Sequence, residues 1–271
     1  MKNAAVLDRW DPQQYQRFRG ERSRPFFDLL ARVPDDDVVR VADLGCGTGE
    51  LTGTLLPRWP DATIWGVDNS AEMLAAAARL SPHPNLHFVE AHLETWQPET
   101  LLDRIIANAA LQWVPDHAHL LTRLVSLLTP RGVLAIQMPA NFNELAHRLL
   151  AEVTTQEPWA AILGSRTQRS FVQTPAWYVD RLQSLGLSVD LWETTYYHLL
   201  TGPDAVLEWM KGTALRPILT RLGSDEQAQV LSCYGAKLRA AYPAGAHGTL
   251  FPFRRLFFVA RLGSPAVQGR I

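Results

Sequence analysis

The stretch VADLGCGTGEL, residues Val41 to Leu51, decides the fold. A short apolar run closes on Asp43 and Leu44, and glycines follow at alternate positions, Gly45, Gly47 and Gly49. A glycine-rich turn between a strand and a helix lets backbone approach a ligand closely. Spacing separates the nucleotide sites that use such a turn. A P-loop requires GxxxxGK[ST], and no such lysine follows. A dinucleotide turn requires GxGxxG, and the position of its third glycine is held by Glu50. What remains is D-x-G-x-G-x-G, from Asp43 to Gly49. The next apolar run, TIWGVDNS, ends in Asp68, about 20 residues downstream, the spacing at which an acid at a strand's carboxyl end hydrogen-bonds a ribose diol. Alone, Asp68 would equally be a residue leading into a helix capped by Ser70. Beside the glycine turn it is a second feature pointing to the same ligand.

Outward from the turn, strands and helices alternate. Apolar, β-branched runs at Val38–Leu44, Thr63–Val67, Leu86–Val89, Arg104–Ala107 and Val133–Met138 read as strands. Helical patterns occupy Glu50–Trp59, Ala71–Leu80 and His117–Leu128, the last capped by Asp116, with Leu120, Leu121, Leu124, Leu127 and Leu128 on one face. Near-continuous apolar strands alternating with helices predict a parallel sheet covered on both faces, and right-handed crossovers give it a doubly wound order. Ahead of the first strand, Ser23 caps a helix carrying Phe26, Phe27, Leu29, Leu30 and Val33. After Met138 the pattern turns helical, around Asn143–Gln156 and Pro175–Leu185. The latter has Thr174 as cap, Pro175 at its first position and Gly186 past its end. Leu187–Leu200 alternates as a strand, two helices follow, one opening on a capping box of Ser224 with Gln227, and Arg254–Leu262 reads as a last strand. These late strands lie too near the C-terminus to found new βαβ units. They are expected antiparallel at one sheet edge, with the helices between them forming a cap over its carboxyl end. The expected fold is α/β, a doubly wound, seven-stranded, mostly parallel sheet with a helical cap. Residues 1–35 would contribute N-terminal helices to the cap, 36–140 the ligand-binding core, 141–262 the cap and the last two strands, and 263–271 a flexible tail.

Composition narrows the class. A chain of 271 residues buries about three quarters of its extended surface. Hydrophobic residues at 47 % and charged residues at 20 % are those of an ordinary soluble globular protein. A net charge of -1 with no basic stripe provides no basis for nucleic-acid binding. Cys46 and Cys233, without CxxC spacing, form neither a disulfide framework nor a zinc site and fit a reducing compartment. The opening MKNAAVLDRWDPQQY has no apolar signal region and no stretch approaches a membrane span, so the expectation is a cytoplasmic protein. His83, His87, His117 and His119 read as surface or structural positions, and no histidine stands at a metal-ligand spacing.

The motif Asp43–Gly49 resembles the first motif of the class I S-adenosylmethionine-dependent methyltransferases. That resemblance implies S-adenosyl-L-methionine as cofactor and S-adenosyl-L-homocysteine as product. It places Asp43 toward the cationic end of the methionine moiety and Gly45, Cys46, Gly47 and Gly49 along the ligand. It puts Asp68 on the ribose, with Asn69 and Met73 beside it. In FVEAHLETW (Phe88–Trp96) the family usually has an acid beside the adenine. The matching residue here is His92, between Ala91 and Leu93, a departure in which an imidazole can meet the adenine amine. In DRIIANAALQWVPDH (Asp103–His117) the resemblance places Asn108, Ala109 and Ala110 under the sulfonium, with Gln112 and Trp113 flanking as substrate-binding candidates. Trp113 is equally a core-packing residue. LLTPRGVLAIQMP (Leu127–Pro139) is similar to the family's helix, turn and fifth strand, so the likeness covers residues 36–140.

Five further segments are similar to the trans-aconitate 2-methyltransferases: GERSRPFFDLLARV (Gly20–Val33), ANAALQWVPDH (Ala107–His117), TTYYH (Thr194–His198), TALRP (Thr213–Pro217) and FRRLFFVAR (Phe253–Arg261). That family esterifies one carboxylate of a planar tricarboxylate. A carboxylate of ordinary pKa is ionised at neutral pH, so it is itself the nucleophile and needs no general base. In-line displacement at a sulfonium methyl neutralises charge, and catalysis is then proximity and orientation, with no catalytic residue expected. The carboxylates that do not react require a cationic clamp, for which the planar fork of arginine is suited. The candidates are Arg22, Arg24, Arg216 and Arg255, with Tyr196, Tyr197 and His198 as further donors. Arg22 and Arg24 can instead pair with Glu21 or Asp28, and of Arg254 and Arg255, as of Tyr196 and Tyr197, only one can face inward on a strand. The implied partner is a small-molecule carboxylate, with no nucleic acid or membrane and a monomer or weak dimer. The alternatives are a carrier-bound acyl carboxylate or a natural product as acceptor, and a protein that binds S-adenosylmethionine without transferring methyl.

Overall fold

The computed structural model describes residues 19–80, 82–164 and 170–262. The expected tail, 263–271, lies outside them, as do most of the residues expected to form the N-terminal helices. Strand β1 (Arg40–Leu44) is buried from Val41 onward, as its unbroken apolar run requires. It pairs in parallel with β2 (Thr63–Asp68) on one side. β3 (Leu86–Glu90) pairs in parallel beyond β2. On the other side β1 pairs in parallel with β4 (Leu102–Asn108), and β4 with β5 (Leu128–Pro139). β6 (Leu187–Leu200) and β7 (Thr249–Leu262) continue the sheet past β5, giving the order β3-β2-β1-β4-β5-β7-β6. The doubly wound, seven-stranded expectation holds, with the two late strands at the β5 edge. The strand order reverses between β1 and β4, and ligands of such sheets bind outside the carboxyl ends at that switch point. The glycine turn follows β1 and Asn108 ends β4, so the two motifs read from the sequence flank the crevice.

Local side-chain caps set three of the helix starts. Ser70 Oγ accepts from Met73 N (3.3 Å) to cap Ala71–Ala77, Asp116 Oδ1 accepts from His119 N (2.9 Å) to cap His117–Ser126, and Thr174 Oγ1 accepts from Trp177 N (3.3 Å) to cap Pro175–Ser184. Three expectations need correction. Ser23 does not cap the first helix: α1 runs Arg19–Leu30, and Ser23 Oγ turns back to Gly20 O (3.1 Å) from inside it. The helix expected over Glu50–Trp59 is only Glu50–Gly53 (α2): at Thr54 and Leu55 the N–H groups bond three residues back, Thr54 to Leu51 O (3.0 Å) and Leu55 to Thr52 O (3.0 Å), and Pro57 disfavours helical backbone before it, so the chain continues in turns. Ser224 and Gln227 form no capping box. Gly223 is the cap of the helix Ser224–Ala241, and the Gln227 amide donates instead to Leu219 O (2.8 Å) and Leu222 O (2.9 Å). The remaining helices are α3 (Ala71–Ala77), α4 (His117–Ser126), α5 (Leu145–Thr154), α6 (Trp159–Leu163), α7 (Pro175–Ser184), α8 (Ala205–Lys211), α9 (Arg216–Leu219) and α10 (Ser224–Ala241). Three helices, not two, thus separate β6 from β7.

The chain divides into two compact units. Among the described residues the sheet unit comprises Arg19–Met138, Phe171–Thr194 and Leu256–Leu262, with α1 part of it. The helical unit comprises Pro139–Ser170 and Thr195–Arg255, centred on Trp209, Met210, Tyr234 and Phe251, all essentially buried. Within it the Tyr234 hydroxyl donates to Ala146 O (2.9 Å) and the Ala146 N–H donates to the Tyr242 oxygen (3.1 Å), tying α5 to α10 and the segment after it. Among the described residues no helix is long and apolar enough to cross a membrane.

Candidate functional site

The glycine turn closes on the end of β2: Gly45 N and Cys46 N both donate to Val67 O, at 2.7 and 3.1 Å. Gly45 has φ +75°, and a Cβ there would collide with the Cβ of Ala110. Gly49 has φ +71°, and its Cβ would meet the Phe88 ring at 2.5 Å. Both positions therefore exclude any side chain, by backbone conformation and by contact. Gly47 differs: its φ is positive too, but nothing lies within 4 Å of its Cβ position, so the space over the middle of the turn is open. The Cys46 side chain packs toward Gly66 and its thiol pKa is raised by burial, so it serves as part of the wall and not as a nucleophile.

Asp43 and Asp68 are held differently. Asp68 Oδ2 accepts from Gly47 N (2.8 Å) and Oδ1 from Ser70 N (2.9 Å), which orients the carboxylate and leaves each oxygen capacity for a second donor. Asp43 is only 2 % exposed and its Oδ2 accepts from Thr52 Oγ1 (2.6 Å). Burial pushes its pKa up to about 6, with the nearby Asp68 charge adding to the rise and the Thr52 hydroxyl opposing it. It is a confined negative charge beneath the turn. Beyond β2 and β3, Asn69 Nδ2 lies 3.4 Å from His92 Nδ1 on the exposed rim, Ala91 N donates to Asp68 O (2.9 Å), and Leu93 O accepts from Arg123 Nη1 (3.3 Å). Met73 is buried in α3 below them.

The exit from β4 completes this face. Ala109 sits at φ +56°, a conformation costly for a residue with a Cβ, and its N–H donates to Gln137 O (2.9 Å). Gln112, 7 % exposed, folds back so that its Nε2 donates to Ala109 O (2.6 Å). Asn108 Oδ1 and Gln112 Oε1 are buried acceptors with no hydrogen bond from the protein. Trp113 is 54 % exposed, so it is not a core residue. Thr52, which holds Asp43, Phe88, which fills the space beside two glycines, and Arg123 were missed. Their only sequence signal is position, since each reaches the site from a different element. A cleft of about 410 Å³ beside Arg40, Thr100 and Thr129 lies at the opposite, amino-terminal strand ends and contains none of these groups.

The acceptor candidates fall mostly in the helical unit. Tyr196, His198 and Arg255 are all nearly buried, while Tyr197 faces outward at 67 % exposure, as alternation on β6 demands. Tyr196 and His198 are parallel with ring centroids 6.3 Å apart, His198 stacks on Trp209 at 4.7 Å, and the Arg255 guanidinium lies 4.7 Å over Phe253. On the alternate face of β7, Arg254 pairs with Glu144 at 3.3 Å. Arg216 is half-buried at the start of α9. Arg24, in the sheet unit, is exposed and lies 3.8 Å from Asp28, the pairing foreseen as its structural alternative. The Arg22 side chain lies outside the described residues. Among the described residues no cluster of His, Cys, Asp and Glu could hold a metal ion.

Residues 41–132 match the family model of a methyltransferase domain. The chain is 48 % identical over 263 residues to the trans-aconitate 2-methyltransferase of Streptomyces avermitilis, covering 94 % of this chain and 98 % of that one. It is likewise 48 % identical to the trans-aconitate 2-methyltransferase of Azoarcus, over 93 % of this chain and 98 % of the relative. Among solved structures, a Haemonchus contortus phosphoethanolamine N-methyltransferase 2 in complex with S-adenosyl-L-methionine matches with a TM-score of 0.53 at 16 % identity, over 88 % of this chain and 52 % of that one, a likeness of fold. The cofactor is S-adenosyl-L-methionine, and the residues present fit it. The turn is open over Gly47, Asp68 is oriented with spare acceptor capacity, Asp43 places negative charge beneath, and two buried acceptors at Asn108 and Gln112 call for a donor.

Proposed function

The chain belongs to the trans-aconitate 2-methyltransferases, and on that footing we propose that it forms the monomethyl ester of trans-aconitate. The observation that carries the reading is near-half identity over more than nine tenths of the chain, a span far longer than the glycine turn and the core it belongs to. When bound, S-adenosylmethionine supplies an electrophilic methyl on a sulfonium. The residues of the chain bind and orient. Asp68 takes the ribose hydroxyls, and the backbone at Gly45 and Gly47 lies along the methionine portion. Asp43 balances its positive charge, and Asn108 and Gln112 present acceptors at its donor end. Asn69, Met73, Ala91, His92 and Leu93 line the adenine side. Arg255, with Tyr196 and His198, clamps carboxylates that do not react, and Arg216 adds a second cation. Tyr197 and Arg24, which are exposed, are assigned no contact. The reacting carboxylate is ionised throughout the neutral range, so no residue moves a proton and orientation supplies the rate. Water exclusion strengthens the arginine–carboxylate pairing and strips the nucleophile of its hydration shell.

Transfer of labelled methyl to trans-aconitate, cis-aconitate, citrate, isocitrate and a malonyl thioester, with products read by mass spectrometry, tests the proposal. A methyl ester formed fastest on trans-aconitate is expected. Turnover only on the thioester, or cofactor binding without turnover, overturns it.

A further inference from the structure

His117 is the first residue of α4, a position usually open to solvent, yet its ring is 2 % exposed and both nitrogens are engaged. Nε2 lies 2.8 Å from Leu111 O and Nδ1 lies 2.5 Å from the Tyr178 hydroxyl. A carbonyl can only accept, so Nε2 carries the hydrogen, and Nδ1 of the neutral ring must accept the Tyr178 proton. The Tyr178 oxygen in turn accepts the N–H of Gln173 (3.2 Å), just before the cap of α7. Burial lowers the His117 pKa and raises that of Tyr178, which keeps both neutral and the direction of each bond fixed.

What this chain of bonds holds is the turn at the site. Leu111 lies between Ala110, which closes on Gly45, and Gln112, whose amide is pinned to Ala109 O. Ala109 itself is in the left-handed region, and a strained residue persists only where its surroundings over-determine it. The bonds on the ligand side are Gln112 to Ala109 and Ala109 to Gln137; His117 grips the same turn from behind.

We propose that His117 and Tyr178 are a positioning pair for methyl transfer, holding the Ala109–Trp113 turn in its strained form so that Asn108 and Gln112 keep their places. The proposal rests on the assignment of that turn to the methyl-donor site. Neither residue is assigned a contact with substrate or cofactor. His117 sets the turn through Leu111 O, which fixes its tautomer, and Tyr178 supplies the proton for the remaining ring nitrogen across 61 residues of sequence.

The test compares His117→Leu, His117→Gln and Tyr178→Phe in the full chain. The glutamine amide nitrogen can occupy the place of Nε2 and still donate to Leu111 O, whereas leucine cannot, and both lose the Nδ1 acceptor for Tyr178. Melting temperature should therefore fall in both. Loss of position at a site that works by orientation should lower kcat/KM on trans-aconitate about tenfold or more in His117→Leu, with His117→Gln within about threefold of the parent chain. Tyr178→Phe, which removes one oxygen and retains the fold, should lose about threefold or more. The ¹⁵N resonances of the His117 ring should report the Nε2–H tautomer. Equal rates in His117→Leu and His117→Gln, an undiminished Tyr178→Phe, or an Nδ1–H tautomer overturns the proposal. Should the parent chain methylate no carboxylate, the acceptor reading has failed on its own. The pair is then judged by the dissociation constant of S-adenosylmethionine, expected about tenfold weaker in His117→Leu and little changed in His117→Gln.

Discussion

Asp43→Asn should separate what the site costs the fold from what it does for the ligand. The Asp43 carboxylate is 2 % exposed, has the Thr52 hydroxyl on one oxygen, and feels the charge of Asp68. Its pKa rises from 3.8 to about 6, chiefly through burial. The folded chain therefore binds this proton more readily than the unfolded chain. The contribution of this group is most favourable below pH 3.8 and declines as the pH rises to about 6, and above that the cofactor-free protein bears its full cost. At about 1.4 kcal/mol per pKa unit the cost is about 3 kcal/mol. Asparagine keeps the shape, accepts the same Thr52 proton and carries no charge. Without cofactor at pH 8, Asp43→Asn should melt higher than the parent, by about 6 °C at roughly 2 °C per kcal/mol for a chain of this size, and the gap should close by pH 4. Adding S-adenosylmethionine should reverse the order, because a confined charge beneath a cationic ligand interacts in a low dielectric, and affinity should drop about tenfold or more. Scanning calorimetry across pH, with and without cofactor, reads both effects, and isothermal titration measures the affinity. A variant less stable than the parent in the cofactor-free state at pH 8, or one with unchanged affinity, would refute the reasoning.

Gly49→Ala should lower stability by about 2 kcal/mol or more, because its methyl meets Phe88 at 2.5 Å as well as adopting a strained φ. Gly47→Ala, with open space around it, should cost about 1 kcal/mol of stability and lose cofactor affinity, and thermal melts beside titrations distinguish the two. Asp68→Asn removes one of the two oxygens that hold the N–H groups of Gly47 and Ser70, so the cofactor dissociation constant should rise about tenfold or more with little change in acceptor KM. Arg255→Ala should raise the KM for trans-aconitate about tenfold or more at saturating cofactor, whereas Tyr197→Phe, altered on the exposed face of β6, should leave steady-state kinetics unchanged.

Much of the donor side was readable one segment at a time. The glycine spacing, Asp43 and Asp68 at strand ends, and the caps Ser70, Asp116 and Thr174 depend on groups within a few residues of one another, so a linear pattern determines them. Alternation on β6 and β7 likewise dictated that Tyr196 and Tyr197, or Arg254 and Arg255, part company, but not which of each goes inside; packing in the helical unit made that choice. The misreadings have the same source. The helix after the glycine turn gives way at Thr54 to bonds three residues back, ahead of Pro57, and the Gln227 amide leaves its expected local partner for the carbonyls of Leu219 and Leu222. Thr52 under Asp43, Phe88 against Gly49, and the bond from Tyr178 to His117 belong to tertiary structure alone. Sequence by itself determined the turn that meets the ligand, because a glycine's freedom and a cap's hydrogen bond are local properties. Only the folded chain decided which buried groups hold that turn in place, because a hydrogen bond across 61 residues exists only once the core has brought its two ends together.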